Sequence, residues 1–225
     1  MRVSTLARAG FAAATLFLAT GANGNWNTTV VRTDGGHRIG NPDAKVQLKE
    51  FVSYTCPHCA HFARDGDGAL QLAYIGPGKV SVEIRHIVRD PVDLTAALLT
   101  NCGPAAKFPR NHSAFMHSQD KWIGLLSTAS PAQRQRWYNG DKAARFRAIA
   151  SDFGFYRIME QRGYSRSQAD RCLADNKMAD KLAADTKKNF ETYSISSTPS
   201  FVLNGITLAG THDWQLLQPQ LDARF

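Results

Sequence analysis

The sequence has little of what marks nucleic-acid-binding, membrane-embedded or repetitive proteins. Basic residues outnumber acidic ones by 27 to 19, yet no basic run is longer than Lys187-Lys188. The net charge of +8 therefore indicates a basic surface and no nucleic-acid motif. Repeats and low-complexity tracts are absent. Since 43% of the 225 residues are apolar, the chain is long and apolar enough for one packed domain, with room for a large insertion.

Long apolar runs are missing as well, apart from one near the N-terminus. Arg2 and Arg8 precede the apolar stretch 9–19, and small residues follow through Gly24. The apolar stretch is shorter than the roughly 20 residues of a membrane span, and the whole pattern is typical of a secretory signal. We predict that residues 1–24 are a signal peptide, cut after Ala22 or Gly24. An uncleaved anchor is the alternative.

Residues 25–91 have the pattern of a β-α-β unit. A polar, turn-rich lead at 32–42 precedes residues 45–52, where polar and apolar side chains alternate as in a strand. The pattern then predicts a helix over 59–73 and a second strand over 80–88. A crossover of this length allows the two strands to pair in parallel.

Residues 92–190 predict several helices and contain no strand candidate, and Ser130 and Ser165 stand where they could cap two of them. In residues 191–225, Asn204-Gly205 separates two short apolar segments, which is a strong hairpin signal. A closing helix over 213–221 follows. The order predicts an α/β domain formed by 25–91 and 191–225, with an all-helical insertion between them.

Only four cysteines are present, and two of them flank Pro57-His58 where the first strand gives way to a helix. At a helix N-terminus, free N–H groups and the helix dipole favour a thiolate at Cys56, to which His58 can add positive charge or a hydrogen bond. A stabilised thiolate stabilises the reduced form, so we expect an oxidising disulfide. Cys59, one turn further on, is expected to be the buried resolving thiol.

A metal site is a competing interpretation of the same segment. Cys56, His58, Cys59 and His61 are possible ligands. A zinc site usually needs a second ligand pair at suitable spacing, and the sequence offers none. We therefore expect no metal. A purely structural short disulfide is a further alternative.

Two more positions are candidates for the same chemistry. Glu50 stands six positions before Cys56, at the end of a strand with alternating apolar residues. A carboxyl group buried behind a dithiol would have a raised pKa and could exchange a proton with Cys59; an exposed charge at the strand end is the alternative. Thr198-Pro199 precedes a strand, either as an ordinary strand start or as a cis-proline placed against the dithiol.

These segments carry a family resemblance. Residues 50–59, Glu-Phe-Val-Ser-Tyr-Thr-Cys-Pro-His-Cys, resemble the active-site segment of the DsbA-like branch of the thioredoxin superfamily. Residues 197–201, Ser-Thr-Pro-Ser-Phe, resemble that family's cis-proline loop, and the likeness spans residues 40–225. The resemblance implies a thioredoxin fold with an inserted all-helical domain. It also implies thiol–disulfide exchange in the periplasm.

By position, the resemblance implies roles for individual residues. Cys56 matches the attacking cysteine, Cys59 its resolving partner and Glu50 the buried acid. Pro57-His58 matches the dipeptide that tunes the redox potential. The Thr198-Pro199 pair matches the loop that aligns an extended substrate strand.

Thr198 leaves the direction of electron flow open. It replaces the Val of the best-known oxidases, and Thr occurs there in relatives with isomerase or reductase activity. Residues 25–44 leave no room for the dimerisation domain typical of DsbC-like isomerases. We expect a monomeric oxidase. A reductase or isomerase of the same fold, and a non-catalytic chaperone or peptide-binding module, are the alternatives.

The resemblance also implies partners and a second disulfide. The partners are exported proteins that carry cysteines and a membrane redox protein that recycles the dithiol, with no cofactor and no nucleic acid. Some DsbA-like proteins carry an extra disulfide in the helical block, where Cys102 and Cys172 would fit. Two unpaired buried thiols are the alternative.

Overall fold

The computed structural model describes residues 25–225, so the predicted signal peptide at 1–24 lies outside the described residues. Six strands form the central sheet: β1 Val30–Arg32, β2 His37–Ile39, β3 Val46–Val52, β4 Val80–His86, β5 Ser200–Leu203 and β6 Ile206–Thr207. Their order across the sheet is β1-β2-β4-β3-β5-β6. The site described below sits at the end of β3, one of the two central strands.

Helices cover the sheet and form a separate block beside it. They are α1 Pro57–Ala69, α2 Pro91–Thr100, α3 Phe108–His117, α4 Leu125–Thr128, α5 Pro131–Tyr138, α6 Lys142–Asp152, α7 Phe155–Gln161, α8 Arg166–Leu173, α9 Asn176–Tyr193 and α10 Trp214–Asp222. A π-helical turn over Leu70–Ile75 continues α1. Because α2 to α9 all lie between β4 and β5, the predicted thioredoxin fold with a helical insertion is confirmed.

The strand pairing bears out the β-α-β unit and the hairpin. Helix α1 connects β3 to β4, which pair in parallel with Glu50 opposite Ile84. Strand β5 runs antiparallel to β3 and is joined to β6 through Asn204-Gly205. Both turn residues have positive φ, 49° and 85°. Asn and Gly adopt this conformation most easily, so the dipeptide makes the tight turn that its sequence indicated.

The polar lead was interpreted without any strand, and this was wrong. Strand β2 lies within this lead and β1 overlaps its first residue; the two form a hairpin, and β2 pairs antiparallel with β4, so that His37 faces Ile84 across the ladder. His37 and Ile39 are buried while Arg38 is not, which is the alternation of a strand. Each strand is only three residues long, so the pattern is too short to show in the sequence. The β1–β2 hairpin forms because β2 pairs with the edge of β4.

Helix starts follow local sequence closely. Ser130 and Ser165 cap α5 and α8, each within a complete capping box, as predicted. Helix α1 begins at Pro57, two residues earlier than the pattern suggested, because Cys56 is its N-cap and proline's fixed φ suits the first helical position.

Alternation along β3 sends its side chains to two different cores. Leu48 and Val52 belong to the large core that includes Phe62 of α1. Phe51 points to the other face and packs in a smaller cluster with Val202. Glu50, between Leu48 and Val52 in the alternation, therefore faces the α1 side. Among the described residues, no helix combines the length and the apolar character that a membrane crossing requires.

Candidate functional site

Cys56 caps the N-terminus of α1. Its extended backbone (φ −96°, ψ 114°) turns the chain from the loop after β3 into the helix, and Pro57 occupies the next position. Cys56 is only 2% exposed, and its Sγ, when protonated, donates to the carbonyl oxygen of Thr198 at 3.1 Å. Cys59, one turn later, is buried too, and both thiols are free. The two cysteines thus form a reduced pair at a helix N-terminus.

The two thiols differ sharply in acidity. A hydrogen bond from Cys59 is the main cause that lowers the pKa of Cys56 to about 5. The Thr198 side chain and the positive charge of Arg89 also lower this pKa, against the effect of burial. Burial raises the pKa of Cys59 well above its usual value, and Cys56 adds to the effect. At neutral pH Cys56 is a thiolate and Cys59 keeps its proton, as suits an attacking thiol and a buried resolving thiol.

The Thr198-Pro199 loop lies directly against Cys56. The peptide bond between the two residues is cis. Strand β5, which follows the loop, pairs with β3. This pairing brings the loop next to the dithiol, although the two are far apart in the sequence. Nδ1 of His212 donates a hydrogen bond to the Pro199 carbonyl oxygen at 2.8 Å. His212 belongs to the segment before α10, so this segment also helps to hold the loop in place.

Glu50 is a buried acid on the sheet face beneath α1. It is 3% exposed, and burial raises its pKa well above the usual value, with a further contribution from the charge of Asp67. The pKa of Asp67 is itself raised, to about 7, by burial. A carboxyl group with a raised pKa exchanges protons readily near neutral pH. The sequence reasoning considered Glu50 and missed Asp67.

A polar network that the sequence reasoning also missed fixes the loop between β3 and Cys56. The Asp93 carboxylate accepts from Ser53 Oγ at 2.6 Å and from the backbone N–H of Tyr54 at 2.7 Å. Arg89 donates through Nη2 to the carbonyl of Thr55 at 3.1 Å. A signal was available, because the ends of two parallel strands meet at the same sheet edge, and residues 89–93 directly follow β4.

Gln119, in the helical block, holds the same loop through two hydrogen bonds. Its Nε2 donates to the carbonyl of Tyr54 at 2.7 Å and to the carbonyl of Cys56 at 2.9 Å, and the residue is 3% exposed. No motif marks this glutamine in the sequence. Its role depends on a contact across more than sixty positions of the chain, since its partners are 63 and 65 residues away.

The histidines of the segment do not gather around the thiols. His58 is exposed, as is His61, whose Nε2 lies 3.2 Å from a carboxylate oxygen of Asp65. Within residues 25–225, no hydrogen bond links His58 to Cys56, and no group of three or more His, Cys, Asp or Glu side chains is arranged to hold a metal ion.

The other two cysteines form a disulfide. Cys102, just after α2, is bonded to Cys172 in α8, with a Cα–Cα distance of 5.6 Å and a sequence separation of 70. The bond therefore joins two helices of the inserted block, away from the pair that caps α1.

Comparison with known proteins adds family information to this geometry. The family model described as thioredoxin matches residues 32–223. A crystal structure titled protein-disulfide isomerase, from Novosphingobium aromaticivorans, is 52% identical. It covers 86% of this chain and 98% of its own, with a TM-score of 0.81. Over nearly its full length, this neighbour has the same fold and half of the same residues.

More distant proteins share the fold. The alpha-DsbA1 structure from Wolbachia pipientis is 22% identical, covers 83% of this chain and 88% of its own, and has a TM-score of 0.66. A Rickettsia bellii protein named "Putative protein-disulfide oxidoreductase" is 27% identical over 75% of this chain. The chain spans about half the length of the curated relatives it matches, 56% in that case. This chain belongs to the thioredoxin family and has the fold of its DsbA-like structures.

Proposed function

We propose that this protein is an exported thiol–disulfide oxidoreductase that passes a Cys56–Cys59 disulfide to cysteines of other exported proteins. The acidity of Cys56 carries the proposal. With a pKa of about 5 in a site where Cys59 stays protonated, the reduced pair is stabilised and the disulfide is correspondingly oxidising. This favours the oxidase direction.

The exchange proceeds in two displacements. A substrate thiolate attacks Sγ of Cys56, the Cys56–Cys59 bond breaks, and the electron pair leaves on Cys59, which takes a proton from Glu50. A second substrate thiolate then attacks the substrate sulfur of the mixed disulfide. Cys56 leaves as a thiolate, the better leaving group because of its low pKa. The substrate ends with one disulfide and the protein with two reduced cysteines.

The remaining site residues have supporting roles in this proposal. Thr198 and Pro199 receive an extended substrate segment by strand addition beside the dithiol, and Pro57-His58 tunes the potential. Residues 25–91 and 191–225 act as one thioredoxin-like domain, with the block 92–190 inserted. A monomer in the periplasm, recycled by a membrane redox protein, completes the proposal.

A reductase or isomerase is the second candidate. Two observations favour it: Thr198 at the position before the cis-proline, and the isomerase title of the 52% identical structure. The two directions differ in the equilibrium between the Cys56–Cys59 pair and glutathione. A potential near −120 mV is typical of an oxidase such as DsbA, and one near −270 mV of a reductant such as thioredoxin.

Stoichiometric oxidation of a peptide tests the proposal directly. One equivalent of oxidised protein should form one disulfide in a reduced two-cysteine peptide, followed by chromatography and thiol counting. Cys56→Ser should not react, and Cys59→Ser, which retains the attacking thiol, should trap a mixed disulfide when treated with an activated peptide disulfide. Equal oxidation by wild type and Cys56→Ser would refute the assignment.

A further inference from the structure

Glu50 and Asp67 face one cavity. It has a volume of about 560 Å³ and lies between the sheet and helices α1 and α3. The sheet side of its wall is apolar apart from Glu50, with Val82 and Ile84 of β4 beside it. A space of this size with polar groups in its wall is large enough for several water molecules.

Helical spacing connects Asp67 with the resolving thiol. Cys59, Ala63 and Asp67 stand four residues apart and so follow one face of α1. That face is directed at the sheet, where Glu50 lies on the same side as Leu48 and Val52. Glu50 is buried whereas Asp67 is half-buried, so Asp67 is the more accessible member of the pair.

Neither carboxyl group is neutralised by a cation. Across residues 25–225, no lysine or arginine nitrogen lies within 4.0 Å of either one. The other charged or titratable side chains facing the cavity are Arg110 and His112 of α3 and Arg162 just beyond α7. The pKa of His112 is lowered to about 3, chiefly by burial, so it is neutral at physiological pH.

We propose that Asp67 is the outer member of a proton relay that runs from Cys59 through Glu50 and Asp67 to water in the cavity. The inference rests on the proposed function, because it describes how that dithiol gains and loses its proton. Asp67 acts through Glu50 and does not touch the sulfur, so it is a positioning residue.

The relay balances in both directions. When Cys59 attacks a mixed disulfide at Cys56, its thiol proton passes to the Glu50 carboxylate, a proton passes from Glu50 to Asp67, and Asp67 releases one to water. When Cys59 leaves as a thiolate, each transfer runs the opposite way. Two nearby carboxyl groups that are partly withdrawn from bulk water favour sharing one proton, because charging both at once costs more free energy than charging one. Burial accordingly raises the pKa of both groups.

The relay can be tested by measuring the rate of the resolving step, the attack of Cys59 on a mixed disulfide at Cys56. The leaving group is chosen to absorb visible light. Cys56 is loaded with 5-thio-2-nitrobenzoate, and the attack of Cys59 then releases this thiolate, followed at 412 nm by stopped flow from pH 5 to 9. Asp67→Asn should slow the release about tenfold at pH 7, a part of the 10²–10⁴-fold typical of general acid–base catalysis. The pH profile should also change shape. Asp65→Asn, which removes the same charge from the same helix outside the cavity, is the matched control.

Two rescues separate proton transfer from packing. Formate is small enough to enter the cavity and should restore part of the rate in Asp67→Asn, while Asp67→Glu should keep most of it. A rate and pH profile of Asp67→Asn equal to those of Asp65→Asn would overturn the relay. A loss that neither formate nor Asp67→Glu reverses would overturn it as well. Failure of wild type to release the thiolate at all would instead reject the proposed function.

Discussion

Gln119 offers a sharp test of how the helical block holds the active-site loop. In Gln119→Leu, the side chain keeps its approximate size but loses both N–H donors, so the carbonyls of Tyr54 and Cys56 lose their hydrogen bonds at 2.7 and 2.9 Å. A buried polar group left unpaired costs about 1–3 kcal/mol. Two such groups, partly offset by the added apolar burial, give an expected destabilisation of about 2–4 kcal/mol.

Urea unfolding measures this loss. The midpoint should fall while the slope of free energy against urea stays constant, since the surface exposed on unfolding is nearly unchanged. Gln135→Leu, in an exposed position on α5, is the matched control and should change the free energy of unfolding by less than about 0.5 kcal/mol. If Gln119→Leu unfolds at the same urea concentration as this control, the two contacts do not anchor the loop and the reasoning fails.

Three further predictions concern the disulfide, the thiolate and the buried histidines. Replacing Cys102 and Cys172 together by Ala should lower the free energy of unfolding by about 4 kcal/mol, because the bond closes a long loop, and calorimetry would contradict this if the melting temperature were unchanged. Thiolate absorbance at 240 nm should titrate near pH 5 in the reduced protein, and Arg89→Gln should raise that pKa; a lower value would refute the role given to the arginine charge. Burial lowers the pKa of His86 to about 4, so the folded state binds fewer protons than the unfolded state between about pH 6.5 and 4, and stability is lost as the pH falls through this window. His86→Gln should weaken this pH dependence in urea unfolding, and an identical dependence would contradict the assignment.

The local sequence was sufficient to predict the turns and helix starts that depend on the conformational preferences of neighbouring residues. The hairpin at Asn204-Gly205 depends on two residues that accept positive φ. Helices α5 and α8 begin where Ser130 and Ser165 can cap them. The start of α1 follows from Pro57, and the Cys56–Cys59 spacing places two thiols one turn apart whatever surrounds them.

Most of the network around the thiols could not be predicted in the same way, although the predicted parallel pairing of the first two strands already placed residues 89–93 at the sheet edge beside the loop. Arg89 and Asp93 reach the loop because β4 runs parallel to β3, and Gln119 reaches it because the inserted block folds back on the sheet. Asp67 follows the Cys59 face of α1, yet an acidic residue on a helix is usually solvated, and only the packing of α3 shows that it faces a cavity.

By itself, the sequence determined the fold class, the position of the dithiol at a helix start and the acid placed six residues before it. The tertiary structure decided the acidity of each thiol, the burial of Glu50 beside a cavity that Asp67 also lines, and the contact between Cys56 and Thr198. The reason is physical. Helix starts and tight turns depend on the conformational preferences of neighbouring residues, whereas a pKa depends on desolvation and on charges that only folding brings close.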